Sequence, residues 1–223
     1  MMRDPLMRST GVLEALFHTG AVVTEADQDR AFYQEVNTRL LSGGEPAADG
    51  VLFLNAQNKQ TIRRIVRPLR AMGVPAAGIV DLDFIKDNDS TTTLRDAGVP
   101  PALIDSLATL RQRVNAAFDA KKIDPALDGL SSLDPPDREA AESLLTSIAQ
   151  YGIFVVPVGC LEKWLPNLGI AGKKSQWLPR MFERMGADPN DGKYVRPGPD
   201  DVWSFVRRIG SWIHDPARRG MPQ

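Results

Sequence analysis

The chain has 223 residues, 43% of them hydrophobic and 25% charged, the balance of an ordinary globular protein. Its formal net charge of −1 gives it no overall positive field of the kind many nucleic-acid binders carry. A single cysteine excludes an internal disulfide, one Cys with two His excludes a Cys/His zinc site, and no apolar run approaches the ~20 residues of a membrane span. The opening residues lack a signal-peptide pattern, and a cytoplasmic location is the expectation.

Residues 4–19 read as the end of a helix with Val12, Leu13, Leu16 and Phe17 on one face. Gly20 releases a strand, AVVTE, at 21–25, and an amphipathic helix at 26–41 carries Phe32, Val36 and Leu40 at helical spacing. After a polar loop, VLFLN at 51–55 reads as a second buried strand. A helix at 61–72 turns Ile62, Ile65, Val66 and Leu69 inward, with Arg63, Arg64, Arg67 and Arg70 on its other face. A break at 73–75 leads to AAGIVDLD, 76–83, an apolar strand ending in two carboxylates. This β-α-β-α-β alternation with short connections argues for a parallel α/β sheet with helices on both faces.

The alternation then stops. Residues 87–148 show only helical patterns, at 101–120 and 137–150, and read as a helical insertion or sub-domain. A fourth strand, IFVVPV, follows at 153–158, and helices at 159–168, 173–185 and 200–213 complete the chain. The expected division is a catalytic α/β domain of about four strands, 12–86 with 152–223, and a helical sub-domain, 87–151.

Parallel sheets place their chemistry beyond the carboxyl ends of the strands. Continued as a strand, residues 76–83 point Asp81 and Asp83 to one side, where like charges repel unless a cation intervenes. Glu25 closes the first strand and Asp29 stands in the first turn of the next helix. If strands one and three are neighbours, Glu25, Asp29, Asp81 and Asp83 converge, and oxygen-only ligands favour one or two Mg²⁺ or Mn²⁺ ions. Beyond the fourth strand, Glu162 is a further candidate ligand, and Lys173 or Lys174 is placed to meet charge on a phosphate. The string GKKS lacks the spacing of a phosphate-binding loop.

These residues together resemble a Toprim domain, which pairs a Glu after its first strand with D-x-D after its third: here Glu25, Asp81 and Asp83. The E-x-x-x-D form of Glu25 and Asp29, and the G-x-L-E-x-W-L string of residues 159–165 followed by Lys173/Lys174, resemble the overcoming-lysogenization-defect (OLD) nucleases. The helical insertion resembles that family's second, larger class. The resemblance implies a metal-dependent DNA endonuclease that uses two divalent ions, with Lys174 the better match to the catalytic lysine and Glu25 and Asp81 central to the chemistry. It also implies an N-terminal ABC-type ATPase partner, whose motifs this chain lacks, and raises a homodimer as an expectation. The chain departs from the family at Cys160, where many relatives carry an acidic residue. Two other readings are a haloacid-dehalogenase-like Mg²⁺ phosphatase, disfavoured by Phe84 and Ile85 after the second Asp, and a non-catalytic metal- or phosphate-binding module. A topoisomerase needs a nucleophilic tyrosine, for which Tyr33, Tyr151 and Tyr194 are poor contexts, and a primase zinc module cannot be built from one Cys.

Overall fold

The apolar runs form four parallel strands, β1 (Gly20–Thr24), β2 (Val51–Asn55), β3 (Ala76–Val80) and β4 (Ile153–Val155), in the order β2-β1-β3-β4. This computed structural model describes residues 11–170 and 174–222. β1 and β3 lie in the middle, fully buried, with Val22 opposite both Phe53 and Ala77, and Gly78 opposite Ile153. Chain order reverses between β1 and β3, the position at which such sheets open a crevice at their carboxyl ends.

The pleat sends alternate residues to two cores. On one face, Val23, Ala76 and Val80 pack with Ile62, Ile65, Val66 and Leu69 of α2 (Lys59–Ala71). Gly78 lets α2 approach, since a Cβ there would stand 2.9 Å from an Ile62 methyl. On the other face, Val22, Ala77, Ile79 and Phe154 pack with Phe32, Tyr33, Val36 and Leu40 of α1 (Asp27–Ser42).

Between β3 and β4 come α3 (Ser90–Asp96), α4 (Pro101–Lys121), α5 (Pro125–Asp128) and α6 (Pro135–Ala149), with no strand among them. Three of these helices start on a proline, whose fixed φ and missing N–H suit the first helical position. Their apolar residues, Ile104, Val114, Phe118, Leu144 and Ile148 among them, join the cluster on the α2 face of the sheet. Beyond β4, α7 (Lys174–Met185) and α8 (Asp201–His214) cover the α1 face with Met181, Trp203, Phe205 and Ile209. No helix among the described residues is long and apolar enough to cross a membrane.

Four expectations need correction. Residues 12–17 form a 3₁₀ helix, whose three-residue turn buries Val12 with Ala15 and leaves Phe17 89% exposed; the earlier part of the expected helix, 4–10, lies outside the described residues. β3 ends at Val80, and the chain turns into a 3₁₀ helix at Leu82–Lys86, so Asp81 and Asp83 are not alternate residues of one strand. Residues 159–168 hold two short 3₁₀ turns, Leu161–Lys163 and Pro166–Leu168, because Pro166 lacks an N–H and Leu165 and Gly169 take left-handed backbone.

The arginine face of α2 is the fourth. Arg70 is only 2% exposed. Its guanidinium donates to the carbonyls of Ala76 (2.7 and 2.9 Å), Ala97 (2.8 Å) and Tyr151 (2.9 Å) and lies over the Trp212 ring. Arg63 and Arg67 both reach Asp96, at 3.2 and 3.1 Å.

Candidate active site

The site is built where β1 and β3 end side by side. Glu25 leaves β1 and its Oε1 accepts the Asp81 amide at 3.3 Å, which ties the two acidic strand ends together. Asp29, in the first turn of α1, accepts the Ala26 amide at 2.9 Å and so closes the entry to that helix, where a negative charge suits the helix dipole. Burial pushes the Glu25 carboxyl up to about 7, opposed by the Asp81 amide and reinforced by the charges of Asp83 and Asp29. Asp83 and Asp29 therefore each lie within electrostatic reach of Glu25.

Asp83 stands in the 3₁₀ turn after Asp81. Its Oδ2 accepts Lys59 Nζ at 2.8 Å, while its Oδ1 is buried with no hydrogen-bond partner among the described residues. The Leu82 amide donates to Gly159 O at 2.8 Å and fastens this turn to the loop that carries Glu162. Burial, then the Glu162 carboxylate, pushes the Cys160 thiol up to about 12, with Asp81 adding to the shift. Cys160 is thus a neutral thiol that feels the charges of both Glu162 and Asp81.

Beneath the rim, Trp164 Nε1 donates to Tyr33 Oη at 2.9 Å, joining the Glu162 loop to α1 one turn after Asp29. Tyr33 is buried, and burial holds its proton well above the usual phenol range, so it is a floor and not a nucleophile. Beside the rim a cleft of about 550 Å³ opens between Lys59, Asp83, Lys86 and Asp87 on one wall and Asp119 and Lys122 on the other.

Lys59 was not singled out in the sequence, and Tyr33 only as a poor nucleophile. The signal for Lys59 was available: it follows β2 by a few residues and so belongs to the same carboxyl rim. Lys173 lies outside the described residues, as does the side chain of Lys174, whose backbone opens α7.

Among the described residues no three His, Cys, Asp or Glu side chains form a ready-made metal cage. The donor set nevertheless fits a hard dication. It is all oxygen, Asp83 and Asp29 repel charge on Glu25, and it includes the buried Oδ1 of Asp83, unpartnered among the described residues.

Residues 16–83 match the family model described as overcoming lysogenization defect protein-like, TOPRIM domain. This stretch is an OLD-like Toprim region. It spans β1 to the Asp83 turn and so contains Glu25, Asp29, Lys59, Asp81 and Asp83, while Glu162 and Lys174 lie beyond it. Toprim domains generally bind divalent metals such as Mg²⁺ and act on nucleic acids. The four-stranded parallel sheet, with helices on both faces, is a Toprim-like α/β fold. No curated protein and no solved structure matches the chain at a significant level.

Proposed function

We propose that the chain is a metal-dependent endodeoxyribonuclease, the nuclease half of an OLD-type ATPase–nuclease that acts on DNA. The observation that carries this reading is the pairing of Glu25 with Asp81 on the two central strands, inside the Toprim region. Glu25, Asp29, Asp81, Asp83 and Glu162 would hold Mg²⁺ or Mn²⁺, two ions in all. Bound there, such ions supply Lewis-acid stabilisation of the attacking and leaving oxygens of a phosphodiester.

The chain's own residues do the rest. Tyr33 and Trp164 hold the Glu162 loop against α1, so the carboxylates keep their spacing. Lys174 donates to the phosphate oxygen on which charge builds. The insertion at 87–151 acts as a sub-domain beside the catalytic part, 12–86 and 152–223, and forms one wall of the substrate cleft. An ABC-type ATPase domain supplies additional grip on DNA, which the paired arginines of α2 do not, and a homodimer brings two such sites together.

Supercoiled plasmid incubated with the protein and Mn²⁺ should become nicked or linear, and Asp81→Ala should abolish this. Plasmid that stays supercoiled in both Mg²⁺ and Mn²⁺, or an Asp81→Ala variant that cuts like the wild type, overturns the reading.

A further inference from the structure

Lys59 is the first residue of α2, the end of a helix where a cation is least welcome, because free N–H groups and the macrodipole already make it positive. The helix does not use it as a cap. Asn58 is the cap, its Oδ1 accepting the Thr61 amide at 2.9 Å and the Thr61 hydroxyl at 2.8 Å. What holds the ammonium is carboxylate: Asp83 Oδ2 at 2.8 Å and Asp87 Oδ2 at 3.9 Å. The side chain is 26% exposed and faces the cleft that opens from the rim.

We infer that Lys59 is an exchangeable counter-ion. In the metal-free protein its ammonium supplies the positive charge at Asp83, and when a dication takes that carboxylate the ammonium turns to a phosphate of the strand lying in the cleft. The inference rests on the metal-dependent nuclease reading above. Three observations support it. Lys59 engages one oxygen of Asp83 and leaves the buried Oδ1 without a partner among the described residues, so this ammonium does not satisfy the whole carboxylate. Asp87, the second partner, keeps the lysine at the cleft after Asp83 is taken. Lys86, paired with Asp119 at 2.9 Å, and Lys122 line the same cleft with Asp83, Asp87, Asp119 and Asp124, so a phosphate is accepted there only once a dication has taken up Asp83.

A merely structural tie between α2 and the Leu82–Lys86 turn predicts the opposite sign. Loss of a tie would loosen Asp83 and weaken metal binding, whereas loss of a competing cation strengthens it. The test is Mn²⁺ binding to DNA-free protein by electron paramagnetic resonance, wild type against Lys59→Met, with Lys59→Arg as the charge-keeping control. Lys59→Met should bind Mn²⁺ about tenfold more tightly, the effect of one close, partly exposed charge, and Lys59→Arg should bind like the wild type. Binding of a labelled duplex oligonucleotide in Ca²⁺ should weaken about tenfold in Lys59→Met.

Unchanged or weaker Mn²⁺ binding by Lys59→Met overturns the role of Lys59 while leaving the nuclease reading intact. Wild-type protein that takes up no Mn²⁺ at all overturns both. If Lys59→Met does not fold, Lys59→Gln, which keeps a hydrogen bond to Asp83 without the charge, is read in the same way.

Discussion

The two ends of α2 each carry a cation in a different environment. Lys59 at the N-terminus is partly exposed and bound by carboxylates, and Arg70, in the last turn, is buried and bound by backbone carbonyls. The Arg70 end is saturated: its donors meet acceptors on β3, on the end of α3 and on the turn before β4, and nothing there is left for a ligand. The Lys59 end is over-supplied with negative charge and leaves one carboxylate oxygen unpartnered among the described residues. One helix therefore has a structural end and an end suited to chemistry. The difference lies in whether the acceptors are neutral and fixed or charged and open to a competing ion.

Arg70 should give the largest effect. Arg70→Met leaves the carbonyls of Ala76, Ala97 and Tyr151 buried without donors, and stability measured by urea unfolding should fall by about 3–5 kcal/mol. Arg70→Lys should recover only part of this, because one ammonium cannot reach acceptors spread around a planar fork.

Lys174→Ala should slow plasmid cutting by about 10²–10³ while Mn²⁺ binding and unfolding stay unchanged, the loss expected for one transition-state donor. Normal cutting by Lys174→Ala with slow cutting by Lys173→Ala would move the role by one residue.

The two ends should also differ in pH response. Burial raises Glu25 from 4.5 to about 7 in the folded, metal-free protein. Its contribution to stability is therefore fully present below pH 4.5 and is lost as pH rises through 7. Protein in EDTA should lose stability across that window, and Glu25→Gln should flatten the slope, as read from urea midpoints at pH 5 and pH 8. A slope that survives Glu25→Gln would mean that another group titrates. The smallest effect belongs to the outer face of α2, where Asp96→Ala frees the exposed Arg67 and leaves Arg63 with Asp89 at 3.9 Å. Stability should change by less than about 1 kcal/mol, and retention on DNA should rise slightly at low salt.

The fold was legible where the signal was local. VLFLN is a strand over the expected residues, and the neighbouring central strands follow from alternation and short connections. The end of β3 was not legible, because Leu82 is buried whether the chain runs on as a strand or turns into a 3₁₀ helix. Lys59 was missed because its partner Asp83 lies 24 residues further along. Arg70 was misread as part of a solvent face, although Ile62, Val66 and Arg70 are spaced by four and so share one stripe of the helix. Its acceptors on β3, at the end of α3 and on the turn before β4 are not visible from α2 itself. Of the rim, the residue types and their strand ends were legible, but the distances among them depend on turns that the apolar pattern does not specify.

The hydrogen bond from the Asp81 amide to Glu25 joins residues 56 positions apart, and every pairing in this sheet is parallel and spans a whole crossover. Loop closure of that kind comes before any reward from contacts, so such sheets are slow to form. During synthesis β4 cannot add to β3 until the helices between them have been made. The acidic rim exists only when β1 and β3 have already met. On the proposed function, divalent ions would enter a finished crevice and would have no role in nucleating it. Refolding rates from urea should be the same with Mn²⁺ and with EDTA, while unfolding should slow once the ion is bound.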